Sequence, residues 1–485
     1  MPHKTSIRGN ALLSSAGIAL DRVFEFAFGI VLARLLAPAD FGLLLTVQIF
    51  TGVAHLFAGG GLTQALVRHK TATEEDFNAV FSLQCLFCLM IYAAFFVSAP
   101  LLAWWYENEE YTRLVRVLSL SFLLKPWTDV PRAKLARDMN YAVLVPLWLL
   151  STLVSGVAGI VLALLGFGVY SLVYAGFVAT GVGIVVVYWK VRLPTRFTLN
   201  RTVLARHLDY GAFATVNAWL DYAHRQLFNL LVSKPFGPQV FGVFNRANSL
   251  TQIPVELMNV SLSQVLFSGL CGFQGDLDKS RYLYLRGVLV ATVYTCPLFV
   301  VLWWLGHPII EIVYGPQWLD AAEPLRVLSF SGLLLCVASQ SKAVIAAQNR
   351  LRGEALIKLV NMGLAVLILP PLMDSGMRGI AWGLALLNVT LATPMIWLAA
   401  RSLTLPTKGL ILALLPALVL GAAMHGAMAV LAPWLETQYL SSPLLYCVQL
   451  GGVGCLVYLL GLLCYPSDTV QAEIRKWAKP LYFKA

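Results

Sequence analysis

The chain has 485 residues, 59% hydrophobic and 12% charged, with a net charge of +11 and a mean hydropathy of +0.74. Soluble domains carry about 25% charged residues. The composition therefore excludes an ordinary soluble enzyme, a disordered chain and a nucleic-acid binder built on a basic globule. An apolar helix of about 20 residues crosses the ~30 Å hydrocarbon core of a bilayer. Fourteen spans of roughly 22 residues would use about 310 residues, leaving no room for a separate soluble domain. The expected fold class is an all-α polytopic membrane protein.

Apolar stretches predict spans at 11–36, 43–65, 79–103, 114–135, 141–165, 168–189 and 207–233. They continue at 240–266, 283–305, 323–347, 354–373, 377–400, 409–431 and 443–464. The first stretch contains Asp21, Arg22 and Glu25 and is too long for the core of a cleaved signal, so it reads as a retained span. The tail 466–485 mixes Arg475, Lys476, Lys479 and Lys484 with Ile474, Trp477, Leu481 and Phe483. It reads as an interfacial amphipathic segment.

Loop charges alternate. Bases cluster in every second connection, at Arg68 and Lys70, at Arg132, Lys134 and Arg137, and at Lys190, Arg192, Arg196, Arg201 and Arg206. The same series continues at Lys279 and Arg281, at Arg350 and Arg352, and at Arg401 and Lys408. The other connections hold Glu107, Glu109, Glu110, Glu311, Asp320, Asp374 and Glu436. Basic loops stay cytoplasmic, so both termini are expected inside.

The sequence repeats internally. Residues 32–42 (LARLLAPADFG) answer 232–242 (VSKPFGPQVFG) at an offset of 200, pairing Arg34 with Lys234, Pro38 with Pro238 and Gly42 with Gly242. The same offset pairs Asp21 with Asp221. Arg116-Val117-Leu118-Ser119 answers Arg326-Val327-Leu328-Ser329 at an offset of 210, continuing to Arg132 against Lys342. A repeat of six spans is a parallel repeat about the membrane normal. The expected organisation is an N-lobe (1–200, spans 1–6), a C-lobe (201–405, spans 7–12), and an added segment (406–485) of spans 13–14 and the tail.

A charge at the bilayer centre costs ~3 to over 10 kcal/mol, so intramembrane ionisable groups mark function or pairing. They concentrate in spans 1, 2, 4, 7, 8 and 10, which are expected to line a cavity between the lobes while the others face lipid. Asp21 and Glu25 share a helix face, as do Asp221 and Arg225, and Lys125, Asp129 and Arg132. Internal pairing of Arg22 with Asp21 and Glu25, and of Arg225 with Asp221, is the competing structural reading. The cations Arg22, Lys125, Arg132, Arg225, Arg246 and Lys342 are the candidates for an anionic headgroup, since guanidinium forks and ammonium groups suit phosphate. The carboxylates Asp21, Glu25, Asp129, Asp221 and Glu256 are candidates for H⁺ or Na⁺ coupling.

Motifs for soluble chemistry are missing. The sequence has no GxxxxGK[ST], no HExxH and no paired Cys/His spacing, so no cofactor, metal or nucleic acid is expected. The pair Cys85 and Cys88 has CxxC spacing without a second pair and reads as helix packing. Trp104-Trp105 and Trp303-Trp304 fall at span ends, where aromatic anchors sit.

Five stretches carry a family resemblance. They are Ala33–Gly42, Gly61–Arg68, Glu74–Phe77 leading to Val80-Phe81, Leu135–Tyr141, and Tyr314-Gly315-Pro316-Gln317-Trp318 leading to Pro324-Leu325-Arg326. Together they resemble Wzx-type polysaccharide-biosynthesis flippases, the colanic-acid-exporter-like branch of the MOP superfamily. The resemblance implies a MOP/MATE-like fold of about fourteen transmembrane helices in the bacterial inner membrane. It also implies non-enzymatic, outward translocation of a polyprenyl-pyrophosphate-linked oligosaccharide by alternating access, for exopolysaccharide, capsule or O-antigen synthesis. A polysaccharide polymerase and chain-length machinery are the expected partners besides the bilayer. The alternatives are an ion-coupled multidrug extruder and a peptidoglycan-precursor flippase on the same fold. A membrane-embedded ligase or polymerase would need a large outer loop.

Overall fold

The computed structural model describes residues 7–466 and Gln471, apart from 61–62, 64–65, 68–72, 192–195, 199–200, 259–261 and 274. At 7–15, 59–60, 201–218 and 437–441 it describes the backbone alone. Most of the amphipathic tail and the loop bases Arg68, Lys70 and Arg192 lie outside the described residues.

Among the described residues, fourteen helices follow in order: α1 (Ile7–Leu35), α2 (Pro38–His55), α3 (Glu74–Tyr106), α4 (Glu110–Arg137), α5 (Tyr141–Leu164), α6 (Val169–Val191) and α7 (Arg201–Met258). After these come α8 (Gln264–Gly272), α9 (Leu277–Val313), α10 (Ala322–Ala347), α11 (Leu351–Met373), α12 (Gly376–Ser402), α13 (Thr407–Ser441) and α14 (Pro443–Cys464). No strand occurs among the described residues.

Among the described residues, ten segments are long and apolar enough to cross a membrane. Helices α1, α4 and α7 reach spanning length but are more polar. The long α7 breaks at Gly237, whose φ of 69° is open to glycine, into two arms. Counting α1, α4 and both arms of α7 restores the fourteen spans. The expected span 207–233 falls within the first arm, while the expected 240–266 runs past the end of the second arm at Met258 into α8. The more polar helices are the ones that carry nearly all the candidate site residues.

Local chemistry sets the helix starts. Thr73 and Asp76 form a reciprocal capping box at α3, with the Thr73 amide donating to Asp76 Oδ2 at 2.7 Å. Asp276 caps α9 by accepting from the Lys279 amide at 3.1 Å. The Lys279 ammonium beside it helps hold its carboxyl below the ordinary range.

The chain divides into two compact units, Met1–Gly242 and Val243–Ala485. The units part at Gly242, within α7, and not at the expected residue 200, so the first arm of α7 falls in the first unit. There α3 packs on α4, α5 on α6 and α4 on α6. The second unit repeats this pattern with α9 on α10, α11 on α12 and α10 on α12, while α13 and α14 pair and lie on α9.

The repeat is also chemical. Arg116 of α4 lies over the Phe96 ring of α3 at 4.5 Å, and Arg326 of α10 lies over the Trp303 ring of α9 at 4.8 Å. The matched glycines show why they are glycines. A Cβ on Gly42 would sit 1.7 Å from the Pro238 carbonyl oxygen, and one on Gly242 would sit 2.1 Å from that of Pro38. The start of α2 and the second arm of α7 thus cross backbone to backbone. About two turns further along α2, Tyr222 of the first arm of α7 donates toward the Gln48 and Ile49 carbonyls at 2.8 and 3.1 Å. Its ring lies where a side chain on Gly52 would be.

Candidate functional site

In the first unit, α4 presents Lys125, Asp129 and Arg132 along one face. Lys125 Nζ lies 3.1 Å from Asp129 Oδ2, and both side chains are about three-quarters buried. Gln84 of α3 donates to the same carboxylate oxygen at 3.2 Å. Thr128 Oγ1 lies 3.4 Å from Asp129 Oδ1.

Arg132 is half-buried, and its Nε is buried with no hydrogen-bond acceptor among the described residues. A Cβ on Gly183 of α6 would lie 3.6 Å from the Arg132 Nη2, an ordinary contact, so α6 packs beside the guanidinium. Pro126 and Pro131 each remove a backbone hydrogen bond from the same helix. Asp129 is thus paired with Lys125, while Arg132 on the same face has no ion pair among the described residues and is incompletely satisfied.

On α1, Arg22 Nη1 pairs with Glu25 Oε2 at 2.8 Å, with both side chains about half or more exposed. Asp21 instead accepts from Thr152 of α5 at 2.5 Å, within the usual span for a hydroxyl on a carboxylate. The structural reading of Arg22 thus holds for Glu25. On the first arm of α7, Asp221 is half-buried and Arg225 is exposed, with no ion pair to Arg225 among the described residues.

In the second unit, Glu354 of α11 is the hub. Lys358 Nζ lies 2.6 Å from Glu354 Oε1, and both side chains are less than a tenth exposed. Lys342 of α10 lies 3.4 Å from the same oxygen and is half-exposed. One turn on, Asn361 donates to the Leu387 carbonyl at 3.0 Å and to Thr390 Oγ1 at 2.9 Å, tying α11 to α12. Here two cations share one carboxylate.

Arg246, on the second arm of α7, sits 5.0 Å from the rings of both Tyr314 and Trp318. Those aromatics belong to the Tyr-Gly-Pro-Gln-Trp stretch between α9 and α10. Burial raises the Tyr314 phenol above its ordinary value. Glu256 is exposed near the end of α7.

Polar contacts also come from spans 3, 5 and 11, which the sequence reading assigns to lipid. Gln84 on α3, Thr152 on α5 and Glu354 and Lys358 on α11 join the clusters. Glu354 and Lys358 were readable from their i, i+4 spacing. Gln84 and Thr152 had no local signal, because their partners lie 45 and 131 residues away. Among the described residues no three His, Cys, Asp or Glu side chains come together as a metal group.

Residues 31–323 match the family described as polysaccharide biosynthesis protein. The chain belongs to this family. It is 28% identical over 311 residues to the succinoglycan biosynthesis transport protein ExoT of Rhizobium meliloti (strain 1021). That match covers 64% of this chain and 63% of ExoT, so the chain spans just under two thirds of that relative's length. Among solved structures, the lipid II flippase MurJ in an inward closed conformation superposes with a TM-score of 0.74 at 14% identity. The match covers 97% of this chain and all of MurJ (100%). An inward-facing multidrug-resistance MATE transporter of the MOP superfamily gives 0.62 at 17% identity over 79% of this chain and 94% of its own. The fold is therefore that of the MOP superfamily, and the protein is a multi-pass membrane protein.

Proposed function

We propose that the protein is a flippase that moves a polyprenyl-pyrophosphate-linked oligosaccharide across the bacterial inner membrane by alternating access, without covalent chemistry. One observation carries the choice of an anionic substrate. Each unit holds an intramembrane cluster in which cations outnumber carboxylates: Lys125 paired with Asp129 and Arg132 on the same helix face, and Lys342 and Lys358 both on Glu354.

A buried cluster with one excess positive charge is costly in hydrocarbon. A pyrophosphate that approaches it neutralises the excess and satisfies the open donors. Arg132 is the strongest contact candidate, because its Nε is buried without an acceptor among the described residues. Lys342 is the counterpart in the second unit, being half-exposed and only the second cation on Glu354. Arg22 and Arg225 supply further exposed guanidinium groups, and Arg246 mainly a fixed cation between two rings.

The carboxylates of α1 fit a coupling role for H⁺ or Na⁺. Within the turn 21–25, Asp21 and Glu25 outnumber Arg22, leaving a local negative charge in excess. Asp129, Asp221 and Glu256 remain secondary candidates. Both termini face the cytoplasm in this reading, from the alternation of loop charge. A polymerase and chain-length proteins act on the product at the outer surface.

The test is deletion of the gene followed by assay of lipid-linked glycan in vesicles of both orientations. Accumulation on the cytoplasmic leaflet with loss of exported polymer supports the flippase. An unchanged lipid pool with unchanged sidedness refutes it. Drug sensitivity without glycan accumulation would point to the extruder chemistry found on the same fold.

A further inference from the structure

A cavity of about 570 Å³ opens within the first unit, between the end of α3, the α2 residue Phe50 and the end of the first arm of α7. Its volume falls in the range of about 300–1,000 Å³ typical of ligand pockets. Its lining is almost wholly apolar, with Phe50, Leu101, Trp105 and Leu230 among it, and Lys234 is the one charged group.

The chemistry is graded along the helix axes. Trp104 and Trp105 end α3 two residues before the acidic run Glu107–Glu110, and Lys234 stands just before the break at Gly237. Leu101 and Leu230 each lie four residues further in, one helical turn or about 6 Å deeper. Tryptophan and lysine at a helix end mark headgroup depth, and aliphatic side chains a turn below mark the start of the hydrocarbon.

The cavity is preformed. Tyr106 Oη and Ser233 Oγ share a hydrogen bond of 2.9 Å that ties α3 to α7. The Tyr106 ring meets Phe50 edge-on, with centroids 6.3 Å apart. Lys234 Nζ rests 3.7 Å from the centroid of the Trp105 ring. Among the described residues no carboxylate pairs with it. Its charge is held at the mouth and left open to an anion.

We infer that this cavity is a lipid portal of the flippase, which takes the proximal isoprene units of the polyprenyl chain while Lys234 meets the pyrophosphate. The inference rests on the flippase reading and adds where the substrate's lipid end is held. The acidic connection beside the cavity places it at the outer leaflet, so it serves the translocated lipid before release. A tail held against Leu101 and Leu230 stays in apolar surroundings while its phosphates reach the ammonium, and neither end is desolvated without compensation.

The test uses the full-length protein in nanodiscs of neutral phosphatidylcholine, with a diazirine-bearing polyprenyl pyrophosphate as the probe. Photolysis should label peptides containing Leu101 or Leu230. Lys234→Gln should reduce labelling about tenfold, a loss in line with one charge-assisted contact. Leu231→Trp, which fills the cavity and keeps the charge, should reduce it as much while the protein remains monodisperse by size exclusion. Excess phosphatidylglycerol should not displace the probe. Labelling that is indifferent to Lys234→Gln and Leu231→Trp, or confined to other helices, overturns the portal. Displacement by phosphatidylglycerol overturns it too, by making the occupant an ordinary bilayer lipid. If glycan translocation proceeds without labelling here, the portal fails and the flippase stands. If translocation is absent, the flippase reading itself fails.

Discussion

The α4 cluster of the first unit and the α11 cluster of the second have the same stoichiometry and opposite finish. In the second, Glu354 and Lys358 meet at 2.6 Å with almost no exposure, and Lys342 adds a second cation from the outside. In the first, Lys125 and Asp129 meet at 3.1 Å with about a quarter of each side chain exposed, and Arg132 keeps a buried Nε open. A buried ion pair that loses a partner leaves an uncompensated charge. A cation without a full set of acceptors is ready for an incoming anion. The comparison separates charge that holds helices together from charge that remains available to substrate, and counting charges in the sequence does not separate them.

The largest expected effect falls on the dry pair. Glu354→Ala should lower stability by about 3–5 kcal/mol, since the buried Lys358 ammonium then loses the carboxylate it meets at 2.6 Å. Thermal unfolding in detergent measures it. The double variant Glu354→Leu with Lys358→Met should recover most of that loss, because packed apolar groups replace such pairs well. A single variant as stable as the wild type would show that water reaches the pair.

Backbone contact gives the next effect. Gly42→Ala should cost about 1–3 kcal/mol by forcing apart the crossing at Pro238. Gly426→Ala on α13, where an added Cβ meets nothing within 4 Å, is the control and should unfold at an unchanged or slightly higher temperature. Arg246→Ala should cost about 0.5–2 kcal/mol through its two aromatic contacts. Translocation lost with no change in unfolding would move Arg246 from the structural group to the substrate group. Lys342→Gln should be worth about 1 kcal/mol or less to stability, as for a half-exposed pair. A larger loss would place Lys342 in the dry pair with Lys358.

Much of this architecture was legible in the sequence because membrane physics is legible there. Spans show as apolar length, and the two arms of α7 were separable by the Pro and Gly residues at 235–238. The repeat was visible as Pro38 against Pro238 and Gly42 against Gly242, although the reciprocal approach of their backbones needs three dimensions. Pairs within one helix follow from spacing, as with Lys125 and Asp129. Pairs between helices do not: Asp21 finds Thr152, Lys342 finds Glu354, and Arg246 finds Tyr314 and Trp318, all set by which helix faces pack. The Tyr314–Trp318 stretch carried a family resemblance, but nothing in it announced the guanidinium that its rings hold.

The central claim is that the open guanidinium of the α4 cluster serves the anionic substrate. Arg132→Gln tests it most directly, with translocation of lipid-linked oligosaccharide assayed in proteoliposomes alongside thermal unfolding. The account predicts that translocation falls at least tenfold while the unfolding temperature is unchanged or slightly higher, because removing an incompletely paired buried cation relieves a cost. Translocation at the wild-type rate by a folded Arg132→Gln protein would contradict it.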